Sequence, residues 1–286
     1  MIPAYLILLV PLVGIVYFAL HGHKEDIGLH NVWFNAATLL LSLWLAVDVL
    51  ISGTIVSSGQ YFIVDSFNVY LIALTAFVGL TTAIFSMPYM AHENEIGKLN
   101  DKRLKLYYSM YQGFMFAMFL VLTTNNMGIM WVAMEAATLA TVMLVSLYRT
   151  PESIEAAWKY FILCGVGIAQ ALFGTILLYY AAIQISDAEN ALLWSVLYDN
   201  ADQLKPDILE IAFVFMLVGY GTKIGLVPLH NWLPDAHSEG PTPMSAVLSG
   251  LLLNDALYAV VRNKMLVDGA TQSHIAGYLM MGFGLL

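Results

Sequence analysis

Eight stretches of this 286-residue chain are apolar for about the length that carries a helix across a bilayer. A run of roughly 20 residues matches a hydrocarbon core of about 30 Å, and in lipid only helices or closed barrels satisfy the backbone. The runs are Ile2–Leu20, Val32–Ile51, Phe67–Met87, Leu106–Leu122, Met127–Leu147, Ala156–Ile183, Ile208–Leu229 and Met244–Val261. A ninth begins near Ile275 and stops at Leu286, about half of what a span requires. The chain therefore reads as an all-α, polytopic transmembrane helical bundle with eight full spans and an incomplete ninth. Composition agrees: charged residues are 11% against about 25% in soluble domains, apolar and aromatic residues are 60%, and mean hydropathy is +0.75.

The net charge of -9 resides in loops and offers no clustered basic surface, which excludes a nucleic-acid partner. The one cysteine, Cys164, lies in an apolar stretch, rules out an internal disulfide framework and cannot alone hold a metal or iron–sulfur centre. No redox cofactor is expected in this chain. The first run lacks a basic n-region and a small-residue cleavage site, so it reads as a retained span. Lys98, Lys102, Arg103 and Lys105 crowd the third connection, with Lys24 in the first and Arg149 in the fifth. Basic loops stay cytoplasmic, so odd-numbered connections are expected inside and the N-terminus outside. The acidic stretch Asp187, Glu189, Asp199, Asp202, Asp207 then falls outside, while Arg262 and Lys264 run against the rule.

A charge at mid-membrane costs from about 3 to above 10 kcal/mol, so each one needs a reason. Glu135 lies about nine residues into its run, roughly 12 Å deep at 1.5 Å per residue. It reads either as a structural ion pair or neutral carboxyl, or as part of a transport path. Lys223 sits in Gly219-Tyr220-Gly221-Thr222-Lys223-Ile224-Gly225-Leu226-Val227-Pro228, where Gly221, Gly225 and Pro228 predict a break in the seventh span. Irregular backbone at that depth is tolerated only where it is buried in protein or lines a wet cavity. Removing an ammonium from water disfavours its charged form and a neighbouring carboxylate restores it, so one Glu–Lys pair, made or broken, can switch a lysine between loaded and empty. The plainer alternative is a Glu135–Lys223 pair that serves stability alone.

Lys159, only a few residues into the sixth run, reads equally well as an interfacial anchor, since a long side chain can snorkel. Asn254 and Asp255 fall near the middle of the eighth run, about 100° apart around a helix, so they cannot both face one path equally. Asp255 is a second titratable candidate. None of the seven histidines is at mid-depth, which argues against bound haem. His21, His23, His30, His92 and His274 fall in loops or at ends. His230 and His237 flank Asn231-Trp232-Leu233-Pro234-Asp235-Ala236; they read as a titratable, water-linked vestibule, as loop histidines bonded to backbone, or, with Asp235 and Glu239 but no third soft ligand, as an incomplete zinc set.

The run from Gly219 to Arg262, GYGTKIGLVPLHNWLPDAHSEGPTPMSAVLSGLLLNDALYAVVR, resembles the signature region of the antiporter-like membrane subunits of respiratory complex I, Mrp sodium/proton antiporters and group 4 nickel-iron hydrogenases. WVAMEAATLATVMLVSLYR from Trp131 and EAAWKYFILCGVGIAQALFGTILLYYAA from Glu155 agree, and their wording is similar to component F of the hydrogenase-4 branch. The three stretches cover under half of the chain. The resemblance implies a proton-translocating role for Glu135, Lys159 and Lys223; His230, His237, Asn254 and Asp255 read beside them as channel or water-linked positions. At Asn254 the pattern departs from complex I, where a lysine passes protons along the mid-plane; an amide cannot take up a proton, so transfer there needs water, His230, His237 or Asp255, or is absent. The family has about fourteen spans in two inverted repeats. No Ser- or Gly-rich linker appears, so the chain reads as one membrane domain over 1–286; the resemblance implies peripheral spans at 1–90, a first repeat carrying a half-channel at 104–265 and an incomplete span at 274–286, from a truncation or a split gene.

The function implied is a proton-translocating, non-catalytic subunit of a redox-driven pump of hydrogenase or NADH-quinone oxidoreductase type. Its partners would be other membrane subunits, a peripheral electron-transfer arm, lipid, and protons or sodium, in a prokaryotic cytoplasmic membrane. An Mrp-type cation/proton antiporter subunit and a non-conducting membrane scaffold remain as alternatives.

Overall fold

The computed structural model describes residues 1–21, 26–271 and 273–286, with His21 by its backbone alone. His23, Lys24 and the His21 side chain lie outside the described residues. Helices are α1 Ile2–His21, α2 Ile27–Ser52, α3 Ser66–Glu95, α4 Asp101–Thr123, α5 Met127–Val145, α6 Pro151–Ala182, the short α7 Trp194–Asp199, α8 Pro206–Ile224, α9 Leu233–Glu239, α10 Thr242–Val247, α11 Leu253–Ala270 and α12 Ile275–Leu285. A π-helical turn at Leu248–Leu252 joins α10 to α11, so Thr242–Ala270 forms one rod. Among the described residues, seven helices are long and apolar enough to cross a membrane: α1 to α6 and this rod. The remaining expected span, the seventh, is α8, whose 19 residues include the three charges Asp207, Glu210 and Lys223. α12, with 11 residues, is apolar but short.

Helix starts follow local chemistry. Asp65 accepts from the amides of Phe67 and Asn68 while Asn68 returns a bond to the Asp65 amide, forming a capping box at α3. Asn100 and Asn126 cap α4 and α5, and Thr150 followed by Pro151 opens α6. α4 and α6 begin five residues before the apolar runs Leu106–Leu122 and Ala156–Ile183, because a helix continues into the headgroup region where polar first turns are at no disadvantage. The described residues also contain a two-stranded antiparallel hairpin, β1 Ile55–Val56 against β2 Ile63–Val64, which apolar patterning does not anticipate.

α4 lies at the centre, mostly buried, between α1, α3 and α5. α6 and α8 pack most closely, and small residues make that possible. A Cβ on Gly219 would stand 2.6 Å from the Ala171 amide and the Gly167 carbonyl, and one on Gly174 would stand 2.7 Å from the Ala212 carbonyl. Such seams drive helix association where no hydrophobic effect operates between helices.

Arg262 is 2% exposed and joins several elements at one end of the bundle. Its guanidinium reaches Asp65 at 2.6 Å and the Tyr258 hydroxyl at 2.9 Å, and lies 4.2 Å from the Trp194 ring centroid. Lys264 pairs with Asp268. The two cations that break the charge bias are thus an interior strut and a partnered surface group, and neither resembles the open basic loop on which that rule rests.

Candidate functional site

The break expected near Lys223 is a helix stop just past it. α8 ends at Ile224, and Gly225 takes the left-handed conformation at φ +81°. The Leu226 amide returns to the Gly221 carbonyl at 2.9 Å and the Gly225 amide to that of Thr222 at 3.3 Å, a Schellman turn that only a residue without Cβ adopts cheaply. Gly221 remains inside the helix, and Pro228 lies in the turn beyond it. The seventh span therefore ends five residues before the expected Leu229. The chain then folds back through α9 to the rod. Trp232 seals this turn: its indole N–H donates to the Thr222 carbonyl at 2.8 Å, and its ring stacks on Tyr160 at 4.7 Å between centroids.

Lys223 is completely buried in the last turn of α8, where the partial negative charge of the helix end favours a cation. Its ammonium donates to the Thr138 hydroxyl of α5 and lies 5.5 Å from the centroid of the Tyr160 ring of α6. Tyr160 in turn shares a 2.7 Å hydrogen bond with Thr141. No carboxylate lies within ion-pair distance of Lys223 among the described residues. Glu135, one turn before Thr138 on α5, is half-buried and acts on Lys223 electrostatically from beyond that range. Its Oε2 is buried with no hydrogen-bond partner among the described residues. The expected Glu–Lys pair is thus a spaced arrangement, in which the Thr138 hydroxyl contacts the lysine and lies beside the carboxylate.

Lys159 stands apart from this cluster. It is 48% exposed and pairs with Glu155 at 2.9 Å and with Asp235 of α9 at 3.0 Å. Since α6 starts at Pro151, Lys159 is about 12 Å along the helix rather than a few residues in. Its neighbour Tyr160, about 100° further round, is the residue of that pair that points to Lys223. His237 shares a hydrogen bond with Ser245 of α10; partial burial holds its imidazole below the usual histidine range. His230 is half-buried and its Nδ1 has no partner among the described residues. The described residues contain no group of three or more His, Cys, Asp or Glu placed to hold a metal.

Asn254 faces outward and donates its amide to the Gly250 carbonyl at 2.7 Å, inside the π turn where backbone bonding is irregular. Asp255 faces inward, 1% exposed, with Oδ2 unpartnered. No hydrogen bond or ion pair joins Asp255 to Glu135, Lys223 or either histidine among the described residues. Thr138, Tyr160 and Trp232 are the site residues that sequence reasoning passes over. The available signal was the i, i+3 spacing of Thr138 from Glu135 on one helix face.

A helical membrane bundle, with a buried lysine at a helix stop touching a hydroxyl and a half-buried carboxylate further along the same neighbouring helix, defines a class: a polytopic protein with an ionisable interior. The sequence pattern of the NADH:quinone oxidoreductase/Mrp antiporter transmembrane family matches residues 124–285, more than half of the chain, and the chain belongs to that family. A hydrogenase-4 component F homolog of Methylacidiphilum infernorum is 55% identical over 228 residues, 79% of this chain and 48% of the relative. NADH-quinone oxidoreductase subunit N of Polaromonas naphthalenivorans is 27% identical over 74% of this chain and 40% of its own length. The chain thus spans about half, or less, of these curated relatives. In fold it is similar to a chain of the archaeal membrane-bound sulfane sulfur reductase, with TM-score 0.85 and 22% identity over 98% of this chain and 56% of that one. A chain of respiratory complex I from Thermus thermophilus matches with TM-score 0.64 and 24% identity over 89% and 52%.

Proposed function

We propose that this chain is a proton-translocating membrane subunit of a redox-driven pump of the hydrogenase or NADH:quinone oxidoreductase type, and that Glu135, Thr138 and Lys223 handle the proton. The observation that carries this reading is a lysine buried completely without a carboxylate in contact. An ammonium removed from water is stabilised by a close counter-ion when its role is structural, and leaving it with one hydroxyl and one ring is costly. A group in that position gains or loses its proton when the nearest carboxylate moves by a few ångströms or changes its own charge. Glu135 is that carboxylate, and Thr138, which can donate and accept, is placed between the two. Lys159 takes the part of a gate at the mouth, held by Asp235 on the element that follows the helix stop. Electron carriers belong to partner subunits, and the chain contributes the ion path, in a cytoplasmic membrane with its N-terminus outside.

The family's own description also covers Mrp antiporters, which supports a second reading: a cation/proton antiporter subunit with no redox partner. Sodium-dependent exchange in vesicles without an electron donor separates the two. The deciding test of the proton role is proton uptake by vesicles of the assembled complex during turnover. Lys223→Ala and Glu135→Gln are each expected to lower it by roughly a hundredfold, the lower end of what positioned proton-transfer groups contribute, with subunit assembly intact. Unchanged uptake in either variant, or full activity when both positions are made apolar together, refutes the role and leaves a scaffold.

A further inference from the structure

We infer that the groove between α5 and α6 binds an anionic phospholipid, its phosphate on Arg149 and one acyl chain along the groove. A cleft of about 340 Å³ runs between the two helices, lined by Leu139, Val142 and Met143 on one side and Ala157, Trp158 and Phe161 on the other. Along α5 the lining from Leu139 to the helix end at Val145 covers about 9 Å at 1.5 Å per residue, and Arg149 stands in the turn beyond it. Its walls are apolar almost throughout. At its mouth stand Ser146, Arg149 and Ile154.

The charge at the mouth is what selects the occupant. Arg149 lies in the short connection between α5 and α6 and adopts φ +58°, a left-handed conformation that costs an L-residue about 1–2 kcal/mol and that glycine would adopt freely. The chain nevertheless carries a guanidinium there. Arg149 is exposed and makes no ion pair among the described residues, although Glu152 is three positions away. A planar, permanently charged donor at the mouth of an apolar cleft fits a phosphodiester with a hydrocarbon tail, whereas an uncharged apolar helix from a partner would leave it without a counter-charge.

The test uses the detergent-purified membrane protein exchanged into nanodiscs of equal phosphatidylglycerol and phosphatidylcholine with matched chains, with retained lipid counted by native mass spectrometry. The expected result is a preference for phosphatidylglycerol of about fivefold, the factor one basic residue supplies at an anionic surface. Arg149→Gly is the informative variant, because it relieves the backbone strain: the preference should vanish while the melting temperature stays equal or rises. Leu139→Trp, at the deep end of the groove, should reduce retention of both lipids. Equal retention by the wild type, an undiminished preference in Arg149→Gly, or capture of a neighbouring protein instead of lipid by a photo-crosslinking residue at Phe161 in the native complex would overturn the assignment.

Discussion

Thr138 is the side chain through which the two titratable groups of the site meet. Its hydroxyl donates to the Met134 carbonyl at 3.0 Å and accepts from Lys223. Thr138→Val keeps the shape but leaves the ammonium without its oxygen; hydrogen bonds to charged groups are worth about 1.5–3 kcal/mol. Proton uptake should therefore fall about tenfold or more in Thr138→Val and recover in Thr138→Ser, with redox-driven uptake and thermal stability measured side by side; equal uptake in the valine variant removes the hydroxyl from the path. At this scale Glu135 and Lys223 are legible in the sequence because lipid makes each charge conspicuous. Thr138 is not, since a threonine in an apolar helix ordinarily returns its hydroxyl to its own backbone, as this one also does. Lys159 shows the opposite difficulty. Burial depth alone could not separate anchor from path, and its partner Asp235 lies 76 positions away, beyond the reach of local patterns.

The element that decides the geometry is the α6–α8 seam, which sets where the helix stop falls relative to α5. A methyl group at Gly219 meets backbone on two sides, and atoms of the main chain cannot yield as a side chain does. Gly219→Ala should cost about 1–3 kcal/mol by overpacking, more than the roughly 1 kcal/mol that alanine gains over glycine inside a helix. Gly165→Ala on α6, with open space around its Cβ position, should be neutral or stabilising by up to that amount. Unfolding midpoints of the two variants in detergent check the contrast, and a Gly219→Ala protein as stable as the parent would show that the helices separate freely. Spans were legible to within a few residues wherever apolar runs and caps agreed, as at Met127. They were less so at α8, where Gly221 and Pro228 resemble breakers but Gly225 alone makes the turn. The π turn and the hairpin left no mark: strands of two residues carry no periodicity, and one extra residue in a helix leaves its hydropathy unchanged.

Across the molecule, Lys98, Lys102, Arg103, Lys105 and Arg149 share one end, while the opposite end carries Asp187, Glu189, Asp199, Asp202 and Asp207 beside Lys205. With Arg262 locked to Asp65 and Lys264 to Asp268, the charge bias between the two ends is cleaner in three dimensions than along the sequence, and the proposed orientation puts the basic end in the cytoplasm. A cysteine in place of Asp202 should then react with an impermeant maleimide from outside right-side-out vesicles, and one in place of Lys102 only after inversion. Cys164 is buried and leaves the assay quiet. The reverse pattern would turn the whole bundle over. This pairing of distant residues is what no linear reading supplies, because Asp65 and Arg262 are 197 positions apart.

Glu135 is partly exposed on the flank of α5, and that has a consequence for control. A carboxylate on the flank of α5 takes part of its dielectric surroundings from whatever molecule stands next to it. Exchange of that neighbour, lipid for protein or a tight contact for a loose one, resets how strongly the acid holds hydrogen ions without altering one bond inside this subunit. On the role proposed for Glu135, proton transfer would then be a property that the surrounding assembly can tune from the side.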